Sequence, residues 1–143
     1  MNVILYMRSL MNEVGLTQWT IEKSNEECPK DSLAQIHHTE LQHAYLTLSL
    51  DFWKQDSVDQ KMTLLHEMCH IPMWSLSFMV DGMRQGLKRN MRKSWKRPLE
   101  DGEECVVEFF ARALARFLPL PGHLCEMDGC IDRDCSHSSP ASP

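Results

Sequence analysis

Residues 63 to 72 read TLLHEMCHIP and set two imidazoles and a carboxylate, His66, Glu67 and His70, into an apolar run. On a helix, residues four apart lie one above the other, with Cβ atoms about 5–6 Å apart. Two imidazoles so placed can both reach one zinc ion, at about 2.0–2.1 Å from each ring nitrogen. Glu67 follows the first of them and can reach a metal-activated water without ligating the metal itself. Such a water, its pKa lowered toward about 7, becomes a nucleophile once that carboxylate takes its proton. Three fixed positions in five also recur by chance on helices, as a solvated polar face. Here the flanks are MTLL and IPMW, and burying unpaired polar groups among them costs several kcal/mol. A metal ion offsets that cost.

A catalytic zinc ion needs a third protein ligand and an open fourth position. The next apolar stretch, EECVVEFFARALARFL (103 to 118), offers Glu103, Glu104 and Glu108. Glu104 and Glu108 share a helix face that Ala111 and Ala115 continue, and small residues there let two helices approach closely. Glu104 is the assignment as third ligand, with Glu108 one turn on as the carboxylate that holds His66 in the right tautomer. Two alternatives stay open. Asp101-x-x-Glu104 matches a capping box, in which Glu104 turns back to the helix start and Glu108 becomes the ligand. Glu103 is the third choice.

The elements that must position these residues read as follows. Val3, Met7, Leu10 and Val14 recur at helical spacing, so residues 2 to 14 form an amphipathic helix stopped by Gly15. QWTIE (18 to 22) alternates as a short strand, 24 to 31 is a loop, LAQIHH (33 to 38) is a weak strand and AYLTLSL (44 to 50) a stronger one. Residues 56 to 71 form a buried helix that Pro72 should end or kink. Residues 103 to 118 form a second one, started after Asp101-Gly102 and closed by Pro119 and Pro121. That order predicts an α+β fold, with a small mixed sheet packed on helices. Residues 1 to 122 are expected as the domain, and 123 to 143, rich in Cys and Ser, as a flexible tail.

With these residues in view the chain resembles the gluzincin branch of zinc metallopeptidases, in which H-E-x-x-H is completed by a later E-x-x-x-D helix. More narrowly it is similar to small gluzincin-like proteins of phages and prophages, its counterparts being QWTIE, AYLTLSLDF, TLLHEMCH and ECVVEFFARALARFLPLP. The likeness spans roughly residues 2 to 121. It implies a zincin-like hydrolase that binds one zinc ion through His66, His70 and Glu104, uses Glu67 as general base, and hydrolyses peptide bonds. Its substrate is then a peptide or protein. It also implies that YLTLSL is an exposed edge that pairs with an extended substrate. Glu108 departs from the pattern, standing where the branch has Asp. No spacing singles out a donor to the developing oxyanion among His37, His38, His43, Tyr45, Arg92 and Arg97.

Composition bounds the remaining possibilities. At 143 residues and 43% hydrophobic the chain can close one core. No apolar run approaches the roughly 20 residues that span a bilayer. The apolar part of MNVILYMRSLMNE is too short for a signal peptide, so the expected location is intracellular, the host cytoplasm if the protein is phage-encoded. The net charge of −5 argues against general nucleic-acid affinity. Residues 84 to 97 nevertheless hold seven basic residues and no acidic one, leaving the remainder at −12, the difference between −5 and +7. With Met83, Leu87, Met91 and Trp95 every four residues, this reads as a basic amphipathic helix, either packed beside the cleft or a nucleic-acid contact. Cys125, Cys130, Cys135 and His137 have ligand types for a second metal, but their spacing is unlike a C-x2–4-C pair. Cys28 and Cys105 are expected as buried or half-buried thiols. The rival functions are a metal-stabilised binding module that cleaves nothing and a nucleic-acid-binding domain acting through 84 to 97.

Overall fold

The computed structural model describes residues 1–39, 42–86, 89–122 and 124, and it is a small α+β fold. Helix α1 spans Val3–Glu13. Asn2 caps it, its Oδ1 accepting from the Ile4 backbone N–H at 2.7 Å. Val3, Tyr6, Met7, Leu10 and Met11 form its buried stripe. Gly15 ends it at φ +81°, and the Leu16 N–H returns to the Met11 carbonyl. A positive φ is what glycine adopts without steric cost.

Three strands follow, β1 (Thr20–Lys23), β2 (Ala34–Thr39) and β3 (His43–Leu48), in the spatial order β1-β3-β2. β1 runs parallel to β3, and β2 antiparallel to it with Ile36 opposite Leu46. The inner face carries Ile21, Ala44, Leu46 and Ile36, all buried against the helices, while Glu22, Tyr45 and His37 look outward. The strand expected as an exposed edge is therefore the central one. β1 borders it along His43–Leu46 and β2 along His43–Leu48, so YLTLSL does not form an open edge of the sheet. β2, the weaker strand in the sequence, is an outer strand. The Ser49 N–H bonds to the Leu33 carbonyl, so by alternation the groups of Ala34, Ile36 and His38 point away from β3.

After a 3-10 turn at Phe52–Lys54, Asp56 opens helix α2 (Ser57–Gln85) by accepting from the Val58 and Asp59 N–H groups. Helix α3 spans Arg89–Ala115. Both outrun the sequence reading. Pro72 lies inside α2 and does not end it, although it removes one helical hydrogen bond. Trp74, packed edge-on against Trp19 and beside His38, holds the next turn in place. Pro98, Asp101 and Gly102 lie inside α3, so no capping box starts there and Glu104 is free to turn elsewhere. The basic stretch 84 to 97 is divided between the end of α2 and the start of α3, rather than forming one helix.

The core joins α1, the inner sheet face, Leu64, Leu65, Met68 and Ile71 of α2, and Val107 and Ala111 of α3. Lys61, only 5% exposed, donates from Nζ to the carbonyls of Ala115 (2.6 Å) and Leu118 and so closes the end of α3. The Tyr6 hydroxyl donates to the Pro119 carbonyl at 2.8 Å, and burial pushes its pKa up to about 12. Between 72 and 106 no described side chain is buried, so α2 and α3 continue past the core as a two-helix arm. Among the described residues no helix is long and apolar enough to cross a membrane. The segment expected as a tail, 123 to 143, lies outside the described residues apart from the buried Leu124, and Cys125, Cys130, Cys135 and His137 lie outside with it.

Candidate metal centre

The site forms where the core ends and the arm begins. The spacing of four puts His66 and His70 on one side of α2, with ring centroids 5.1 Å apart and their Nε2 atoms 3.3 Å apart. Val107 and Ala111 bury fully against the core and bring α3 alongside. From there Glu104 sets one carboxylate oxygen 3.3 Å from His66 Nε2 and the other 3.6 Å from His70 Nε2. One ligand atom from each of the three lies within 4.8 Å of the others. A tetrahedral ion about 2.0–2.1 Å from each ligand spaces its ligands roughly 3.3 Å apart, so the cluster suits a small divalent cation.

The outer nitrogens have partners as well. His66 Nδ1 lies 3.4 Å from a Glu108 oxygen, the placement expected for that residue. Glu108 also takes Arg112, whose Nε and a terminal nitrogen stand 2.7 and 2.6 Å away. Arg112 chiefly, and His66 to a lesser degree, hold the Glu108 carboxyl below its ordinary pKa. His70 Nδ1 lies 3.3 Å from Glu103, which in turn accepts from the Ser77 hydroxyl at 2.7 Å. The sequence reading considered Glu103 only as a metal ligand and missed this arrangement. The available signal was the Glu103-Glu104 doublet, since consecutive helical residues point about 100° apart and can address two nitrogens of one ring.

Glu67 leaves the metal side of α2 and turns toward β2. It is 9% exposed and accepts a hydrogen bond from the Ile36 N–H, one of the outward groups of that strand. Burial pushes its pKa up to about 8; the Ile36 bond opposes the rise, and the Glu104 carboxylate adds to it. A cleft of about 400 Å³ brings together Ala34, Ile36 and His38 of β2 with His66, Glu67, His70 and Glu104. Cys69, inside the motif, points into the core instead, and burial raises its thiol to about 11. Cys28 is half-buried, its thiol raised by burial, whereas Cys105 is exposed, against expectation.

Of the six candidate oxyanion donors, His38 lines this cleft. Its ring stands 5.9 Å from that of Trp19, and burial followed by the nearby His70 lowers its pKa to about 4, so it is neutral. Its Nε2 is buried with no hydrogen-bond partner among the described residues. His37, His43 and Tyr45 belong to the outer sheet face, and Arg97 pairs with Asp101 along α3. The Arg92 side chain lies outside the described residues. Compared with protein-family models, curated proteins and solved structures, the chain matches none.

Proposed function

We propose that this chain is a zinc-dependent metallopeptidase, a minimal zincin-like hydrolase of gluzincin type. The observation that carries the reading is the convergence of His66 Nε2, His70 Nε2 and the Glu104 carboxylate at ligand spacing, beside a buried carboxylate with no Lys or Arg partner among the described residues. A structural metal site needs no such neighbour, which separates this reading from a silent binding module. The two imidazoles and the carboxylate suit zinc, with a coordination position left for chemistry.

When bound there, the ion supplies Lewis-acid activation of water and of a substrate carbonyl. The chain's own residues do the rest. Glu67, anchored by the Ile36 N–H, accepts a proton at its carboxylate and passes it to the departing amine. A carboxyl that burial already inclines to hold a proton is suited to that exchange. Glu108 and Glu103 hold the imidazoles so that their Nε2 lone pairs face the ion. An extended peptide or protein segment lies along β2, the outer strand that borders the cleft, and pairs with outward backbone groups other than the Ile36 N–H, held by Glu67, and the Ala34 carbonyl, held by Ser32.

The test is elemental analysis with activity. Purified wild type should carry one equivalent of zinc, His66→Ala and Glu104→Ala should lose it, and Glu67→Gln should keep it. Glu67→Gln should lower kcat on an unstructured protein substrate by about 10²–10⁴-fold, the usual worth of a general base. Wild type that takes up no zinc would end the proposal. Zinc retained in Glu104→Ala but lost in Glu108→Ala would move the third ligand by one turn.

A further inference from the structure

His70 is gripped at both ring nitrogens by consecutive residues of α3. Glu104 faces Nε2 at 3.6 Å and Glu103 faces Nδ1 at 3.3 Å. The second oxygen of Glu103 is fixed by the Ser77 hydroxyl at 2.7 Å. Ser77 stands seven residues beyond His70 on α2, two turns on and nearly on the same face. Glu103 therefore bridges the two helices at the root of the arm.

The two imidazoles are not held alike. The Glu108 carboxylate that faces His66 is shared with the Arg112 guanidinium, and its side chain is 42% exposed. The Glu103 side chain is 28% exposed and, among the described residues, has no Lys or Arg partner. Its negative charge is spent on His70 and on one hydroxyl. A carboxylate at Nδ1 places the ring proton there, leaves the Nε2 lone pair free for a cation, and stops rotation of the ring about its bond to Cβ.

We propose that Glu103, braced by Ser77, is the positioning residue for His70, and that this pair sets how tightly the centre holds its metal. The inference rests on the metal-binding reading of His66, His70 and Glu104. It assigns Glu103 no contact with the ion and no part in proton transfer. A cavity of about 580 Å³ between the helices, walled by Met73, Leu76, Val80 and Leu99, is also lined by Ser77 and Glu103, so this pair lies between the cavity and the candidate ligands.

The test compares full-length wild type, Glu103→Gln and Ser77→Ala. Zinc affinity is measured by competition with a chromophoric chelator, the visible spectrum is taken with cobalt(II) in place of zinc, and metal-free thermal stability is followed in parallel. Glu103→Gln should weaken zinc binding by about 10–100-fold, the usual cost of losing such a partner, and shift the cobalt bands. Ser77→Ala should move both readouts in the same direction by less. Metal-free stability should be nearly unchanged, because a positioning role does not carry the fold. Wild-type affinity and an unaltered cobalt spectrum in Glu103→Gln would overturn the inference, as would an affinity loss fully accounted for by lost metal-free stability. If Glu103→Gln does not fold, Ser77→Ala decides, and unchanged affinity there overturns it. Failure of wild type to bind zinc at all would instead sink the metal reading, before any variant is compared.

Discussion

At the scale of single residues, the centre is a set of carboxylates with unequal surroundings. Glu67 is the most buried of them, and in the metal-free chain this has a thermodynamic consequence. Folded, it keeps its proton up to about pH 8; unfolded, it releases it near the ordinary value of 4.5. Between those values the folded state binds more protons, so its stability falls as pH rises, and the whole contribution is gone above about 8. Glu67→Gln, which stays neutral, should flatten that fall. Urea midpoints of the metal-free wild type and variant at pH 5 and pH 8.5 would show it, and parallel pH slopes would refute it. His66, Glu67 and His70 were legible in the sequence because a spacing of one helical turn is a property of one segment. The candidate third ligand was legible only as a choice among Glu103, Glu104 and Glu108. Which of them meets the imidazoles depends on how α3 is rotated against α2, and that is fixed by Val107 and Ala111 reaching the core, not by local pattern.

Among elements, the two long helices are where local rules lost to packing. Pro72 and Gly102 each read as a boundary, and each lies inside a helix, as does Pro98. An interior proline costs about 3 kcal/mol or more, a charge that neighbouring contacts such as those of Trp74 with Trp19 can offset. Gly102 has open space where a Cβ would stand. Gly102→Ala should therefore stabilise α3 by about 1 kcal/mol, a rise of roughly 2–5 °C in Tm, with zinc stoichiometry unchanged; calorimetry and elemental analysis check both. Lys61 works in the opposite direction. Lys61→Met should cost about 2 kcal/mol, because two carbonyls at the end of α3 lose a charged donor, and Tm should drop by roughly 4–8 °C. Strand order was not readable at all. Alternation identified β3 as a strand, but whether a strand is central or outer is decided by which neighbours dock on it.

Across the described residues, the core lies on one side of the candidate metal centre and the arm on the other. All three candidate ligands stand at the junction, and none lies within 84 to 97. Replacing the seven basic residues of that stretch by Gln should leave one equivalent of zinc bound and peptide hydrolysis intact. Salt-sensitive nucleic-acid binding lost in the same variant would reveal a second activity carried by the arm. Of the apolar stripe expected at Met83, Leu87, Met91 and Trp95, Met83 is 76% and Met91 44% exposed, and the side chains of Leu87 and Trp95 lie outside the described residues.

Lys61 ties its own helix to carbonyls more than fifty positions further along the chain. During synthesis His66 and His70 leave the ribosome before Glu104, and the carbonyls that Lys61 clasps follow later still. On the proposed reading, a growing chain can bring its three candidate ligands together only once α3 has followed α2 out.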